Sequence, residues 1–437
     1  MPIYSALHCQ ICGVGFSIPR FYRPDEVASV PRSRYGTTSG AQAAARVGTG
    51  CCSEVNGMHV AGTRCYHTRA YSGWRVFEKD INDINTVVCL YSKRRHWRPA
   101  PGDEDFEIRA KSCGVTGVSH APVLSDVLVH SIQPAKHGIR KVTVDNRGLH
   151  RGLNGPYALP MHPACFEIFK RQSLRIKGFV DIDLLWNLRE RLGVTSSYRF
   201  VGLPAPPELI RCARWSLYPE VWKCINGTEW LTANPHQVIG LPQLLSNKCQ
   251  RQTFGSTVVF PAWDKVTPSD PFRLLPAEIK CIILEDLDRK TVGNLRRVSR
   301  SFRQIPTSYF RPLVHKEMPW LWEVLDDPNA NMKYDWFELF NTIHTSERLG
   351  IFWSKRDEVD GTKLEVGPDY MADLLQEDPD IKRASEDFKK IKLENSLHLC
   401  HQLYPAEDPS LRGLRNRKRI WEDVEKIFAL AEKEGIN

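Results

Sequence analysis

The sequence lacks any long hydrophobic run. Apolar stretches such as Ile282-Ile283-Leu284 fall far short of the ~20 apolar residues that a membrane-spanning helix needs. The first residues carry no basic side chain, and His8 and Gln10 interrupt the apolar stretch that a secretory signal peptide requires. We therefore expect a soluble intracellular protein in the cytoplasm, the nucleus or both, without a signal peptide or a transmembrane segment.

Several motifs of common catalytic and nucleotide-binding sites are also missing. The chain contains no GxxxxGK(S/T) phosphate loop, no HExxH metalloprotease motif and no GxSxG nucleophile elbow. Internal repeats of roughly 20–50 residues are absent as well, which argues against propellers and solenoids. A second Cys-x-x-Cys pair is not visible, so a cross-braced double zinc site is not expected.

The composition is that of a globular protein with real cores. The 437 residues are 42% hydrophobic and include 12 Trp, and at ~100–200 residues per domain they predict about two to four domains. The 13 cysteines are odd in number and irregularly spaced, which does not suit a disulfide framework. In a reducing compartment, clustered Cys and His residues more often bind metal.

The charge is concentrated in the first part of the chain. Residues 1–250 carry 31 basic and 19 acidic side chains, whereas residues 251–437 carry 29 and 32. A basic front half would favour acidic or phosphorylated partners. The alternative is an ordinary solvated surface, because the basic residues are scattered, and we do not expect nucleic acid as a partner.

The pattern along the chain predicts an α+β fold. Short β-rich runs lie at 84–91, 126–132 and 139–146, with an exposed loop at 99–107 between the first two. Helical periodicity follows at 165–172 and 180–193, and a linker is expected at 266–271. We divide the chain into an N-terminal, partly β region with a zinc knuckle (1–200), an irregular connecting segment (201–270), a helical motif (271–320) and a helical C-terminal region (321–437).

Near the end of the chain, RNRKRIWEDVEKIFALAEKEG predicts an amphipathic helix. Its apolar face consists of Ile420, Val424, Ile427 and Phe428. The basic stretch 412–419 at its start is open to two interpretations, a nuclear address or a solvated helix start.

The most informative segment is PFRLLPAEIKCIILEDLDRKTVGNLRRVSRSFRQI at 271–305. Pro276 stands where a helix can begin, and Glu278 complements the positive end of the helix dipole. One apolar stripe is formed by Ile279, Ile282, Ile283 and Leu287, and a second by Val292, Leu295, Val298, Phe302 and Ile305. From periodicity alone, the segment could be a helical hairpin of the protein's own core.

The residue identities of this segment resemble the F-box motif. The resemblance rests on Leu275-Pro276-x-Glu278, then Ile282, Leu287, Val292 and Leu295, and the Val298-Ser299-Arg300 triplet. Phe302 stands where that family usually carries Trp, a substitution that still supplies a large ring. The match covers about 50 of the 437 residues.

The resemblance implies a non-catalytic adaptor of SCF (Skp–cullin–F-box) ubiquitin ligases, within the ubiquitin-conjugation pathway. The motif, taken as 271–320, would bind a Skp-type linker and through it a cullin ligase, and the rest of the chain would recognise a substrate protein. The implied linker-binding residues, partly shared with internal packing, are Leu275, Pro276, Ile279, Ile282, Leu287, Val292, Leu295, Val298 and Phe302.

A wider resemblance extends to a group of filamentous-fungal F-box proteins with a central box. Their chains open with a Cys-x-x-Cys-Gly knuckle, carry His-x-x-Cys before the box and have Trp-rich sequence after it. This sequence shows Cys9-Gln10-Ile11-Cys12-Gly13, MHPACFEIF at 161–169, MPWLWE at 318–323 and DWFEL at 335–339.

We predict a structural zinc site made by Cys9, Cys12, His162 and Cys165. The Cys-x-x-Cys spacing lets two thiolates reach one tetrahedral ion, and His162 and Cys165 would project together from the start of a helix. The alternative is that Cys165 is a buried helix cysteine and His162 a helix cap. Competing ligands are Cys51, Cys52, His59, Cys65, His67, Cys89 and Cys113.

Two functions from other classes compete with the adaptor. One is a zinc-stabilised nucleic-acid-binding or other interaction protein in which 271–305 is only a core hairpin. It predicts steeply salt-dependent binding to nucleic acid. The other is an enzyme that uses the Cys/His cluster between 51 and 89, and it predicts a solvent-open metal or a reactive thiol there.

Overall fold

The structure, a computed structural model, places the chain in two compact units. The first comprises residues 1–239 and 349–437, and the second residues 240–348. The predicted four-part division stays a prediction. The described residues are 8–16, 86–93, 95–120, 130–132, 142–144, 157–192, 203–215, 227–250, 268–287, 289–344 and 411–436, with the single residues 18, 76, 81, 84, 222, 224 and 260.

A six-stranded sheet forms the β part of the first unit. Its strands are β1 (Thr86–Ser92), β2 (Cys113–Val115), β3 (Ser119–His120), β4 (His130–Ile132), β5 (Val142–Val144) and β6 (Tyr157–Met161). The strand order is β2-β1-β6-β5-β4, with β3 pairing to β1. The β-rich runs predicted from the sequence at 84–91, 126–132 and 139–146 each overlap one of these strands, β1, β4 and β5 respectively.

The sheet is antiparallel except for one pair. Leu90 of the central strand β1 lies opposite Val115 on one side and Leu159 on the other, whereas β5 and β6 run parallel, with Val144 opposite Ala158. The five residues from Val87 to Tyr91 are all buried. A strand buried on both faces reads as a continuous apolar run, which is the pattern TVVCLY shows.

The described helices of the first unit are α1 (Asp105–Arg109), α2 (Pro163–Lys177), α3 (Ile182–Leu192), α4 (Pro207–Trp215), a 3₁₀ turn (Glu229–Thr232) and the long C-terminal helix α12 (Arg412–Lys433). The first three pack against strands of the sheet. The helices predicted at 165–172, 180–193 and the C-terminus are therefore present, and the α+β class is confirmed. α2 ends at Gly178, whose φ of 75° only glycine adopts easily.

The predicted exposed loop at 99–107 is partly wrong. Residues 105–107 form the first turn of helix α1. Glu104 and Glu107 cap its N-terminus with a reciprocal capping box. Phe106 is buried, with its ring 6.1 Å from that of Phe166 in an edge-on contact. A helix of five residues is too short to show a 3.6-residue period, so the sequence pattern did not reveal it.

The C-terminal helix α12 packs on α2 in the core of the first unit. The Phe428 ring stacks on Phe169 with centroids 5.6 Å apart, and the Gln172 amide donates to the carbonyl of Trp421 at 3.3 Å. The predicted apolar face of Ile420, Val424, Ile427 and Phe428 is buried. Burial of that stripe, rather than intrinsic propensity, stabilises the helix.

The second unit is helical over its described residues. Its helices are α5 (Leu241–Lys248), α6 (Ala277–Asp286), α7 (Arg289–Val298), a 3₁₀ turn (Arg300–Phe302), α8 (Thr307–Glu317), α9 (Trp322–Leu325), α10 (Ala330–Lys333) and α11 (336–344). A bridge between Gln250 and Tyr334 joins its two ends. Leu284, Phe302, Val314 and Leu321 are fully buried and form its apolar core.

A search of the described helices for a membrane-spanning segment finds none with enough length and apolar character.

Candidate functional sites

The knuckle at the start of the chain is a tight turn. The N–H of Cys9 donates to Val14 O at 2.9 Å, the N–H of Gly13 donates to Cys9 O at 2.8 Å, and Gly13 has a φ of 75°. An isolated bridge between His8 and Gly15 closes the loop. Because Gly13 reverses the chain so sharply, the side chains of Cys9 and Cys12 converge on one point.

The second pair of candidate ligands lies at the start of α2. His162 is the N-cap residue, Pro163 opens the helix, and Cys165 follows within the first turn. The knuckle reaches this helix through two backbone contacts. The N–H of Gln10 donates to Pro160 O at 3.0 Å, and the N–H of His162 points at Cys9 Sγ at 3.4 Å. The helix start and the knuckle are thereby held together.

The four predicted ligands meet in one buried cluster. The donor atoms of Cys9, Cys12, His162 and Cys165 all lie within 4.8 Å of one another, and none of these side chains is more than 2% exposed. His162 Nδ1 is 3.4 Å from Cys12 Sγ and 3.8 Å from Cys165 Sγ. None of the three thiols is in a disulfide. The group could therefore bind a metal ion.

The electrostatics of the cluster favour a cation at its centre. Burial opposes ionisation of Cys12, but hydrogen bonds from Cys165 and Cys9 and the positive charge of His162 lower its pKa well below the ordinary value. Burial also acts to lower the pKa of His162, yet the charges of Cys9 and Cys12 raise it to about 10. A metal ion would be attracted by the same charges that favour the imidazolium.

The donor set fits one metal class best. Three cysteine sulfurs and one imidazole are the donor set that closed, four-ligand structural zinc sites commonly use. With zinc–ligand bonds of about 2.0–2.3 Å, neighbouring ligand atoms of a tetrahedral site lie about 3.5–3.8 Å apart. The observed spacings of 3.4 and 3.8 Å around His162 Nδ1 agree with this geometry.

Two of the competing ligands, Cys89 and Cys113, belong to the described residues, and neither joins this cluster. Cys89 and Cys113 are buried in the sheet, where Cys89 has Thr116 as its neighbour and the thiol of Cys113 donates to Ile182 O at 3.5 Å. Burial raises the pKa of Cys89 above its ordinary range, which makes it a poor thiolate. The remaining competitors, Cys51, Cys52, His59, Cys65 and His67, lie outside the described residues.

The F-box-like segment is organised by an aspartate just before it. Asp270 accepts hydrogen bonds from the Ser299 hydroxyl at 2.8 Å, the Ser301 N–H at 3.0 Å and the Phe272 N–H at 2.9 Å. These bonds join the entrance of the segment to the end of α7. Asp270 belongs to the stretch 266–271 that the sequence pattern suggested was a linker, and its bonds give it a structural role.

Some of the predicted linker-binding residues are exposed. Ile282 is 54% exposed, Ile279 43% and Val298 81%, and Pro276 is exposed at the start of α6. Pro276, Ile279 and Ile282 follow one another at steps of three, so they share one face of α6. We call these three residues the aliphatic face of α6.

The other predicted residues are partly or fully buried. Leu275, Leu287 and Leu295 are half-buried, and Val292 and Phe302 are buried. The Phe302 ring makes edge-on contacts with Phe272 and Phe260 at centroid distances of 5.3 and 5.9 Å. Phe302 thus fills the space between the helices, where a large ring was expected.

The sequence pattern missed two residues of this segment. Leu274 is 83% exposed, yet it precedes the helix and so falls outside the periodic stripe. Leu284 is fully buried and belongs to neither predicted stripe, because the buried side of α6 runs through Lys280 and Leu284. The unbroken apolar run from Ile282 to Leu284 made the inner and outer faces of the helix indistinguishable.

The basic stretch 412–419 is partly buried in the structure. Arg417 is fully buried and Arg419 is 8% exposed, so this part of α12 is not a solvated helix start. The guanidinium of Arg417 donates to Pro235 O at 2.6 Å and to His236 O at 2.8 Å. These two side chains are therefore engaged inside the first unit, and nuclear targeting by this stretch stays untested.

Comparison with known proteins identifies the helical segment. A family model described as the F-box domain matches residues 272–309, which contain α6, α7, the second 3₁₀ turn and the first residues of α8. No curated protein and no solved structure matches the chain. An F-box domain supports a general role as an SCF adaptor, since such domains generally bind a Skp-type linker and such proteins are generally non-catalytic. The resemblance to the fungal group stays a prediction.

Proposed function

We propose that this protein is a non-catalytic substrate-recognition adaptor of an SCF-type ubiquitin ligase. The observation that carries the proposal is the F-box domain at 272–309, together with aliphatic side chains that stay exposed on it. The F-box links the chain to a Skp-type linker and so to a cullin, and the first unit selects the substrate.

The aliphatic face of α6 is the centre of the proposed docking surface. Large aliphatic side chains in water cost free energy, and their burial against a partner contributes about 25 cal/mol per Å² of apolar area. Leu274 and Val298 are even more exposed and extend this surface at both ends of the α6–α7 pair. A few such anchors in an apolar groove usually dominate the affinity of a helix for its partner.

The buried predicted residues act indirectly in this proposal. Val292 and Phe302 hold α6 and α7 in position, and Leu275, Leu287 and Leu295 contribute to both packing and docking. A helical hairpin that served only the protein's own core would have buried its aliphatic side chains. The exposure of Ile282 and Val298 therefore favours the adaptor over the interpretation as a core hairpin.

The substrate would be recognised through the first unit. Residues 1–250 carry the excess of basic side chains, so an acidic or phosphorylated partner is favoured. Binding to such a substrate weakens as salt concentration rises. A substrate interaction that ignores salt, or one that maps entirely to residues 330–437, would contradict this part of the proposal.

The buried cluster of Cys9, Cys12, His162 and Cys165 is proposed to hold a structural zinc ion. When bound, zinc supplies four strong bonds that join the knuckle to β6 and α2, and no solvent-open position for a reaction. Because a nine-residue turn has little core of its own, the free energy of metal binding becomes free energy of folding for residues 8–16.

Co-purification with a Skp-type linker tests the adaptor function. Wild-type chain should capture the linker in a one-to-one complex, and Ile282→Asp should lose it, because an unpaired carboxylate would be buried in an apolar interface. Met332→Asp is the matched control, since Met332 is 61% exposed on α10 outside the F-box. It should bind the linker normally.

The outcomes separate the candidate functions. The docking proposal is wrong if folded wild-type chain captures no linker. It is also wrong if the Ile282→Asp variant binds the linker as tightly as wild type does. Ile282 suits this test better than Leu275, whose side chain is half-buried and whose replacement would also disturb packing. Circular dichroism and thermal melting of each variant establish that it is folded.

A further inference from the structure

The knuckle is held on a second side by the C-terminal helix. The Nη1 group of Arg419 donates to the carbonyl oxygen of Cys12 at 2.9 Å, although these residues are 407 positions apart in the chain. Arg419 is 8% exposed and Cys12 is 2% exposed. The contact is therefore shielded from water. In the protein interior, a hydrogen bond from a charged donor is stronger than in water.

Arg419 is itself held in a rigid network. Its Nη1 also donates to Asp423 Oδ2 at 3.2 Å, while its Nη2 and Nε donate to Asn416 Oδ1 at 2.8 and 3.2 Å. Asn416 in turn donates to the carbonyls of Leu231 and Ala233 at 3.1 and 2.7 Å. A planar guanidinium bound at three points has one orientation, which suits a positioning role.

The position of the bonded carbonyl gives Arg419 influence over the metal ligands. Cys12 O follows the Cys12 side chain directly, and the next residues turn back so that the N–H of Val14 points at Cys12 Sγ at 3.5 Å. Three thiolates and a divalent ion leave a net charge of −1, which a nearby guanidinium stabilises. Groups that hydrogen-bond to metal-binding residues and orient them commonly change the metal affinity 10–100-fold.

We propose that α12 completes the metal centre and that Arg419 is the positioning residue through which it acts. The inference rests on the zinc centre proposed above and adds a third element to it. The centre then joins the knuckle, the start of α2 and the C-terminal helix. Metal binding and docking of the first turns of α12 stabilise each other, because coupling between two sites is reciprocal.

Metal release from the zinc-loaded full-length chain tests the proposal. Zinc transfer to a chromogenic chelator is followed for wild type and Arg419→Met, and we expect release about 10–100-fold faster in the variant. Arg417→Met is the matched control. Arg417 is also buried and lies two residues away, but its guanidinium donates to the carbonyls of Pro235 and His236. Its zinc release should stay near the wild-type rate.

A second readout separates positioning from general stability. With Co²⁺ in place of zinc, Arg419→Met should alter the visible absorption of the tetrahedral thiolate site, whereas Arg417→Met should leave it unchanged. Removing the metal with a chelator should increase hydrogen exchange at the start of α12 but not in α8 of the second unit. Equal release rates and spectra for the two arginine variants would overturn the role of Arg419.

The outcomes also distinguish this inference from its premise. If wild-type protein neither contains zinc nor takes it up, the zinc centre and the role of Arg419 both fail. If wild type binds one equivalent and Arg419→Met releases it no faster than Arg417→Met, only this inference fails. Should a Met variant not fold, the pair Arg419→Lys and Arg417→Lys keeps the charge, and the same difference in release is expected.

Discussion

The hydroxyl of Ser299 donates a hydrogen bond to the carboxylate of Asp270 at 2.8 Å. This bond joins the residue that follows α7 to the entrance of the F-box, 29 positions earlier in the chain. The same carboxylate accepts the N–H groups of Ser301 and Phe272. Ser299, the central residue of the Val-Ser-Arg triplet, is buried and so serves the architecture of the F-box.

Replacing Asp270 should loosen the F-box. Asp270→Ala removes the acceptor that three donors share. We expect the free energy of unfolding to fall by about 1–2 kcal/mol, a small loss because the site is partly exposed. Hydrogen exchange of α6 and α7 measures the effect. Asp286→Ala at the exposed end of α6 is the control and should be near neutral. Equal protection in both variants would show that the Asp270 bonds contribute nothing.

The contribution of Asp270 should depend on pH. Burial acts to raise its pKa, but hydrogen bonds from the Ser301 and Phe272 N–H groups and the Ser299 hydroxyl hold it below the ordinary value of 3.8. A lowered carboxyl pKa gives stability that is present above the ordinary value and lost as pH falls through the lowered one. The stability difference between wild type and Asp270→Asn should therefore shrink below about pH 4. A difference that grows in acid would contradict this assignment.

Phe302 should be essential for the fold of the F-box rather than for direct docking. The side chain is fully buried between Phe272 and Phe260, so Phe302→Ala should cost about 3–5 kcal/mol. Hydrogen exchange across α6–α8 should rise, and linker capture should fall as a consequence. Phe337→Ala, on a ring that is 37% exposed, should cost much less. Full linker capture by Phe302→Ala with unchanged exchange would be inconsistent with this role.

Loss of one metal ligand should release the metal. Cys165→Ser replaces a thiolate with a hydroxyl that binds zinc poorly, so the purified variant should contain far less zinc, and its first unit should melt earlier. Cys113→Ser is the control, because the Cys113 thiol donates to Ile182 O, which a hydroxyl can also do. Metal content by elemental analysis decides the matter. Zinc lost only from Cys113→Ser would place the site elsewhere.

Two helical glycines should respond in opposite directions to alanine. A Cβ on Gly413 would overlap the carbonyl oxygen of Asn234 and lie 3.2 Å from Val238, so Gly413→Ala should push α12 away and cost about 1–3 kcal/mol. Gly293 in α7 has nothing within 4 Å of such a Cβ, and Gly293→Ala should stabilise its helix by about 0.5–1 kcal/mol. Chemical denaturation compares them. A neutral Gly413→Ala would mean that α12 does not approach Asn234 this closely.

Local sequence patterns were sufficient to predict the elements whose residues lie close together in the chain. The run TVVCLY predicted a buried strand, the spacing of Ile420, Val424, Ile427 and Phe428 predicted a helix with one buried face, and Leu275-Pro276 with its following stripes identified the F-box. These are local patterns, in which periodicity directly reports which face meets the core. Cys9, Cys12, His162 and Cys165 also come together in one buried cluster, as their pairwise spacing suggested, although that spacing alone left competitors open and their role as metal ligands stays a prediction.

Which side chains face water, and which distant segments meet, depends on how the whole chain folds. Ile282 and Leu284 are equally apolar, yet Ile282 is 54% exposed and Leu284 is fully buried, because only one face of α6 packs against the rest of the second unit. Arg417 and Arg419 look like a solvated basic stretch, but their guanidinium groups bond carbonyls from segments about 180 and 400 residues away. No local pattern encodes such partners, since a buried charge is stable only where the folded chain supplies its acceptors.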